Sequence, residues 1–236
     1  MDLKELQRNW EGLARKDPLW AILTHPKKRG ELKTDEFFIQ GQHVIDDLMK
    51  HIDSLHVNIT HEMAMDFGCG VGRLSQPLTH YFNCVCGVDI APTMIELARK
   101  YNKYPDKCKF YLNETNDLKT FKDSSFNLIC SVLTLQHMEK KYIMRYLSEF
   151  FRIITQGGLI VFQLPNSPPF RVRLFGPIYW RIPYYHLIRF GGKIEMHTVK
   201  KDEILELMKK SGGTVQEAAP QYSRGWRSYT YYVTKD

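Results

Sequence analysis

At 236 residues, with 43% hydrophobic and 13% aromatic content, the chain is long enough to bury one substantial α/β core and too apolar for a disordered polymer. Its formal net charge of +7, with a pI near 9.1, is spread over Lys27-Lys28-Arg29, Arg171, Arg173, Arg181, Arg189, Lys193, Lys200-Lys201 and Lys209-Lys210. That scatter reads as solvated faces, with an acidic substrate, a membrane surface and nucleic acid as the other readings; no helix-turn-helix, zinc finger or RNA-binding aromatic pair accompanies it.

Taken in chain order, Leu3 to Leu13 has helical spacing around Trp10. Asp35 to Leu55 is a longer amphipathic helix with Phe37, Phe38, Val44, Ile45, Leu48 and Ile52 as its apolar positions. Residues 1–58 thus read as an N-terminal helical cap. Alternation follows: strand Glu62–Phe67, helix Gly72–Phe82, strand Cys84–Asp89, helix Thr93–Lys103, strands Lys109–Asn113 and Phe126–Ser131, helix Lys140–Ile154, and strand Leu159–Leu164 after the Gly157-Gly158 turn. Strands joined through single helices predict right-handed crossovers and a mostly parallel sheet with helices on both faces. Val199–Ser211 is the last long helix, acidic at its start and basic at its end as the macrodipole prefers, and Gly212-Gly213 stops it. Thr214–Ala218 and Ser228–Thr234 close the chain as two strands, giving seven in all.

No stretch approaches the roughly 18 uninterrupted apolar residues of a spanning helix, and Met1 to Glu5 opens no signal-type run. A cytoplasmic location is therefore expected, with peripheral membrane contact left open. The five cysteines, Cys69, Cys84, Cys86, Cys108 and Cys130, lie in or beside predicted strands without C-x-x-C spacing, so reduced core thiols and no metal are expected.

The most informative segment is Met65-Asp66-Phe67-Gly68-Cys69-Gly70-Val71-Gly72-Arg73, which ends an apolar run and opens a helical pattern; Asp89 closes the next apolar run. Alternating glycines let the backbone turn tightly and approach a ligand, and an acidic residue about 20 positions on can accept from two ribose hydroxyls. Arg73 stands where a dinucleotide fingerprint has its last glycine, which weakens the pyrophosphate reading. The sequence here resembles the class I S-adenosylmethionine-dependent methyltransferases, whose acidic-x-G-x-G-x-G motif is matched by Asp66 through Gly72 and whose second motif is matched by Asp89. Ile90 to Arg99 is similar to the family segment that follows the ribose acid. Asn113-Glu114-Thr115-Asn116-Asp117-Leu118 stands where the family has its adenine-side motif, and Phe126-Asn127 replaces the usual Phe-Asp. The resemblance implies a Rossmann-like seven-stranded sheet ending in an antiparallel hairpin, with S-adenosyl-L-methionine as cofactor and S-adenosyl-L-homocysteine as product. It places cofactor contacts at Asp66, Gly68, Cys69, Gly70, Gly72, Asp89, Ile90, Met94, Glu114, Asn116, Asp117 and Leu133.

Methyl transfer needs alignment, exclusion of water and, for a hydroxyl or ammonium nucleophile, removal of a proton. After strand four, Leu135-Gln136-His137 resembles a segment common in this group. His137 reads as a general base, as a pocket-lining residue, or as structure only. Asn166-Ser167-Pro168-Pro169-Phe170 differs from the amino-methyltransferase signature by its serine and by following strand five. The excursion 166–197, rich in aromatics and arginines, reads as an acceptor lid, an extra helical layer or a membrane-facing patch. Residues 60–165 form the expected cofactor core, and 198–236 the C-terminal helix and hairpin of a single domain. Arg15 or Lys16 is expected to meet the methionine carboxylate as the N-terminal segment closes, with Trp20 as core packing. The function expected is methyl transfer to oxygen of a small-molecule or glycan acceptor; the alternatives are a non-catalytic cofactor-binding protein and a nucleic-acid or protein methyltransferase, nucleic acid being the less favoured partner.

Overall fold

The computed structural model describes residues 1–23, 30, 32–168, 194–223 and 225–236. Helix α1 (Leu3–Lys16) starts at Asp2, whose carboxylate accepts from the Glu5 amide at 2.8 Å, and ends with Arg15 and Lys16 in its last turn. Asp17 then accepts from the Trp20 amide at 3.1 Å and starts the short α2 (Pro18–Leu23). Helix α3 (Thr34–Ser54) buries Phe37, Gly41, Ile45, Met49 and Ile52, the stripe that its 3.6-residue period sets up.

The remaining elements are β1 (Met63–Phe67), α4 (Ser75–Leu78), β2 (Cys84–Asp89), α5 (Pro92–Tyr101), β3 (Cys108–Leu112), β4 (Phe126–Ser131), α6 (Lys140–Ile153), β5 (Ile154–Ser167), α7 (Lys201–Lys210), β6 (Gly213–Ser223) and β7 (Trp226–Lys235). They build one seven-stranded sheet in the order β3-β2-β1-β4-β5-β7-β6. The first five strands pair in parallel, and β7 runs antiparallel to both β5 and β6. Strand order reverses between β1 and β4, so the crevice outside their carboxyl ends is where a ligand fits.

Two expected elements change ahead of the C-terminal hairpin, whose strands also run longer than foreseen. The helix foreseen over Gly72–Phe82 shrinks to the four residues of α4, because Pro77 has no amide to give to residue 73 and the following residues tighten into turns, Thr79 bonding Gln76 and His80 bonding Pro77. Strand β5 is longer than foreseen. Its pairing with β4 passes from Phe126–Ile154 to Leu128–Leu159, so the Gly157-Gly158 turn sits inside the strand as a bulge, Gly157 at φ +70°. Asn127 Oδ1 takes the Met63 amide at 2.9 Å, at the opposite end of the strands from the crevice.

Apolar side chains fill both faces of the sheet. On one, α6 and α7 cover Met65, Phe67, Val88 and Ile160, joined by Leu6 of α1; on the other, α3, α4 and α5 cover Ala64, Val85, Leu128 and Val161. A third cluster joins Leu13 and Ala14 of α1 to Leu19, Phe37, Val71 and Met94. Helix α1 therefore spans two clusters and crosses the end of the sheet between them. The aromatic and basic run from Phe170 to Phe190 lies outside the described residues. All five cysteines are free thiols, Cys84 half-buried and the others buried.

Candidate active site

The glycine turn after β1 is sewn to the end of β2. The amides of Gly68 and Cys69 both donate to the Val88 carbonyl, at 2.7 and 3.0 Å, and the Gly70 amide donates to Asp89 Oδ2 at 2.8 Å. Gly68, Gly70 and Gly72 have φ of +80°, +53° and +82°, which side-chain-bearing residues rarely adopt. Space is restricted there as well: a Cβ on Gly68 would lie 2.1 Å from Thr134 Cγ2, and one on Gly70 would lie 2.6 Å from Ile22 Cδ1.

A crevice of about 720 Å³, its solvent-open mouth included, lies beside this turn. Its floor comes from strand ends: Phe67 and Gly68 after β1, Val88 to Ile90 after β2, Asn113 after β3, Val132 to Thr134 after β4. Leu133 holds φ +59°, an uncommon backbone for a non-glycine residue, of the kind that concentrates at functional sites. Gly70 and Met94 add to one wall, His137, Met138 and Tyr146 to another, and Leu6, Trp10 and Ile22 of the N-terminal helices close it over.

Of the residues expected to bind a cofactor, Gly68, Gly70, Asp89, Ile90, Met94 and Leu133 thus meet at the crevice. The others lie elsewhere. Asp66 is buried beneath the turn, accepting from Ser75 Oγ at 2.6 Å. Cys69 is buried with its thiol toward the Gly70 carbonyl, and Gly72 packs against Phe110. Glu114 is exposed and accepts from Gln7, Asn116 is exposed, and Asp117 is held by Thr115 and Lys119. Arg15 points to Glu11 at 2.7 Å with its side chain 73% exposed, and Lys16 is exposed too. Trp20 packs against the third apolar cluster.

Sequence reasoning missed Leu6, Trp10, Ile22, Asn113, Thr134, Met138 and Tyr146. The Tyr146 hydroxyl donates to the Thr115 carbonyl and accepts from Asn113 Nδ2 at 3.3 Å, fixing the loop after β3. Glu149 and Arg152, a turn or so further along α6, fasten the same loop: Glu149 Oε2 takes the Leu118 amide at 2.9 Å and Arg152 donates to the Leu118 and Phe121 carbonyls.

Electrostatics divide the carboxylates. Burial pushes Asp66 up to about 6, against the lowering effects of Ser75 and Arg73. Asp89 is half-buried at the crevice wall; burial raises its pKa too, and the Ala91, Gly70 and Ile90 amides partly offset that. Burial lowers His137 to about 4. Its Nδ1 lies 2.7 Å from the Glu195 carbonyl and must carry the proton there, since a carbonyl only accepts; Nε2 then holds the lone pair, 3.2 Å from the Gln136 amide nitrogen. Trp10 lies against the ring, centroids 5.1 Å apart.

An α/β sheet of this order, with a glycine turn bonded to an acid at the end of β2, defines a nucleotide-type cofactor fold. Residues 65–162 match the family model of a methyltransferase domain. That match covers about two-fifths of the chain, and it is in this stretch that the chain is similar to S-adenosylmethionine-dependent methyltransferases. The chain is 30% identical over 106 residues to a tRNA N(3)-methylcytidine methyltransferase of Drosophila melanogaster, covering 42% of this chain and 33% of that one. A ubiquinone biosynthesis O-methyltransferase of Cereibacter sphaeroides is 25% identical over 150 residues, covering 63% of this chain and 58% of that one. The chain thus spans between a third and three-fifths of the length of these two relatives. Among solved structures, magnesium protoporphyrin IX methyltransferase from Synechocystis PCC 6803, with bound SAM, superposes with a TM-score of 0.65 at 16% identity, over 100% of this chain and 98% of that one, and shares the fold.

Proposed function

We propose that this chain binds S-adenosyl-L-methionine in the crevice and transfers its methyl group to an oxygen of a small-molecule acceptor. The observation that carries the reading is Asp89. A carboxylate has about four acceptor sites; here the Gly70 amide takes one on Oδ2 and the Ala91 amide one at 2.9 Å on Oδ1, which leaves acceptor capacity for a ribose diol. Ile90, Met94 and Asn113 stand beside it to enclose an adenine, and the backbone of Gly68, Gly70 and Leu133 lies where the methionine part would run. The residues therefore fit the cofactor. When bound, it supplies a sulfonium methyl whose leaving group needs no activation.

The chain's own work is to align, to exclude water and to move a proton. Leu6, Trp10, Ile22, Val132 and Met138 make the crevice apolar, which disfavours water beside the reacting atoms. His137 stays neutral at physiological pH and presents Nε2 as the proton acceptor once Gln136 yields its contact. A base this weak suits a hydroxyl that is itself acidic, such as a phenol, better than a sugar alcohol. The apolar walls point the same way, so a small ring-bearing acceptor is preferred to a glycan. The relative that acts on tRNA supports a nucleic-acid acceptor as the second reading.

Calorimetric titration with S-adenosyl-L-methionine and S-adenosyl-L-homocysteine, with NAD as control, tests the first half; transfer of labelled methyl to phenolic acceptors and to bulk RNA tests the second. Selective binding of both adenosyl compounds with label on a phenol is expected. No binding to either would overturn the reading, and label on RNA alone would move it to the second.

A further inference from the structure

Helix α5 starts without a cap of its own. Pro92 occupies its first position and needs no amide partner, and the preceding Ala91 has no side-chain oxygen to take the amide of Thr93. That role is filled from another helix. Glu11 of α1 accepts from the Thr93 amide at 3.0 Å through Oε2 and from the Thr93 hydroxyl at 2.6 Å through Oε1, and Arg15 braces it. Burial alone would push the Glu11 carboxyl up, yet the Thr93 bonds and Arg15 more than offset it and the net shift is downward, so the group stays ionised.

The consequence lies one residue away. Trp10 and Leu6, on the same helix, form the outer wall of the crevice, while Asp89, Ile90 and Met94 flank the α5 start that Glu11 holds. The Glu11 contact therefore joins the wall contributed by α1 to the wall contributed by β2 and α5. Trp10 and Met94, both lining the crevice, thus lie on the two helices that this contact ties together.

We propose that Glu11 is a positioning residue for the cofactor site: by capping α5 across the crevice it holds α1 closed over bound ligand, and ligand enters and leaves when the Glu11–Thr93 clasp opens. This rests on the reading of the crevice as an S-adenosyl-L-methionine site. Opening the clasp lets ligand in and out alike, so its loss speeds both steps and changes affinity little; a merely structural defect would speed release and leave association unchanged or slower.

The test is stopped-flow binding of S-adenosyl-L-homocysteine to the wild type, Glu11→Ala and Thr93→Val, with amide hydrogen exchange of residues 3–16 in the same ligand-free proteins. Thr93→Val keeps shape and amide while deleting the hydroxyl bond, and Glu11→Gln, which retains one carbonyl oxygen, is expected to fall between. Loss of hydrogen bonds to a charged acceptor implies association and dissociation rates both raised about tenfold in Glu11→Ala, with faster exchange in α1. An unchanged association rate in both variants overturns the proposal. If the wild type binds no S-adenosyl-L-homocysteine, the cofactor reading fails; the clasp is then decided by exchange alone, faster in both variants if it holds α1 and unchanged if it does not.

Discussion

Replacing Asp89 by alanine tests the site where it is most exposed to refutation. Removing the carboxylate deletes the acceptor capacity left for a ribose diol, a loss of about 1–3 kcal/mol of binding for hydrogen bonds to a charged acceptor. That corresponds to a rise in Kd of about 5- to 150-fold. The same change strands the Gly70 and Ala91 amides, which the carboxylate now receives at 2.8 and 2.9 Å. Both residues are buried, so each stranded amide should cost about 1–3 kcal/mol of folding stability. The two effects separate by assay: calorimetric titration with S-adenosyl-L-homocysteine well below the melting transition reads the first, and urea unfolding without ligand reads the second. A ligand lacking one ribose hydroxyl completes a double cycle, since the wild type should lose affinity for it while Asp89→Ala loses less. A binding loss below about 0.3 kcal/mol, within the scatter of independent sites, would refute the assignment.

Four further outcomes are expected. His137 has a folded pKa of about 4, below its ordinary value, so the neutral ring contributes stability above pH 6.5 that is lost as pH falls toward 4; His137→Gln should unfold with a flatter pH profile over that range, the wild type losing about 3 kcal/mol more. Parallel urea profiles would contradict it. Asp66 has the opposite sign, because its folded pKa is raised to about 6: its contribution is complete below the ordinary carboxylate value and is lost as pH rises through 6, so Asp66→Asn should gain on the wild type by up to about 3 kcal/mol between pH 4 and 7. Equal slopes in denaturant melts across that window would rule this out. Arg152→Ala should cost about 2–4 kcal/mol and speed amide exchange over residues 113–125, since Glu149, 5% exposed, loses the guanidinium 2.8 Å away. Arg145, whose contact with Glu149 is longer at 3.4 Å and whose side chain is 47% exposed, should cost under about 1 kcal/mol when replaced by alanine.

The parts of the fold legible in the sequence are those fixed by short-range pattern. Strands β1, β2 and β4 are continuous apolar runs because parallel strands are buried on both faces, and α5, α6 and α7 carry amphipathic stripes that end at turns. The helix after the glycine turn is shorter than its pattern implies because its apolar spacing is helical while Pro77 denies it a backbone bond, so a local rule outweighs the periodicity. β5 and the final hairpin run longer than alternation indicated, since β7 pairs with β5 all the way from Leu159 to Ser167 and antiparallel pairing carries strand geometry past the point where the apolar pattern fades.

The crevice shows the same division. Gly68, Gly70, Asp89 and Leu133 could be located because in an open α/β sheet ligand contacts follow the strand ends, a relation that sequence order preserves. Glu114, Asn116 and Asp117 sit in the matching motif, yet side chains on a loop point where their nearest partners are, here Gln7, solvent and Lys119, while Asn113 at the loop's start faces the crevice. Tyr146 had no local signal at all, since its place depends on how α6 lies across the sheet. Trp10 had a partial one: Leu3, Leu6, Trp10 and Leu13 form a helical stripe, but a stripe does not say what it covers. Only tertiary packing puts half of it into the core through Leu6 and Leu13 and leaves Trp10 between them on His137. A helix anchored by its ends and poised over a ligand crevice at its middle can respond to what the crevice holds, and for this reason the residue that ties that middle down, Glu11, matters more than its place on a charged surface helix would indicate.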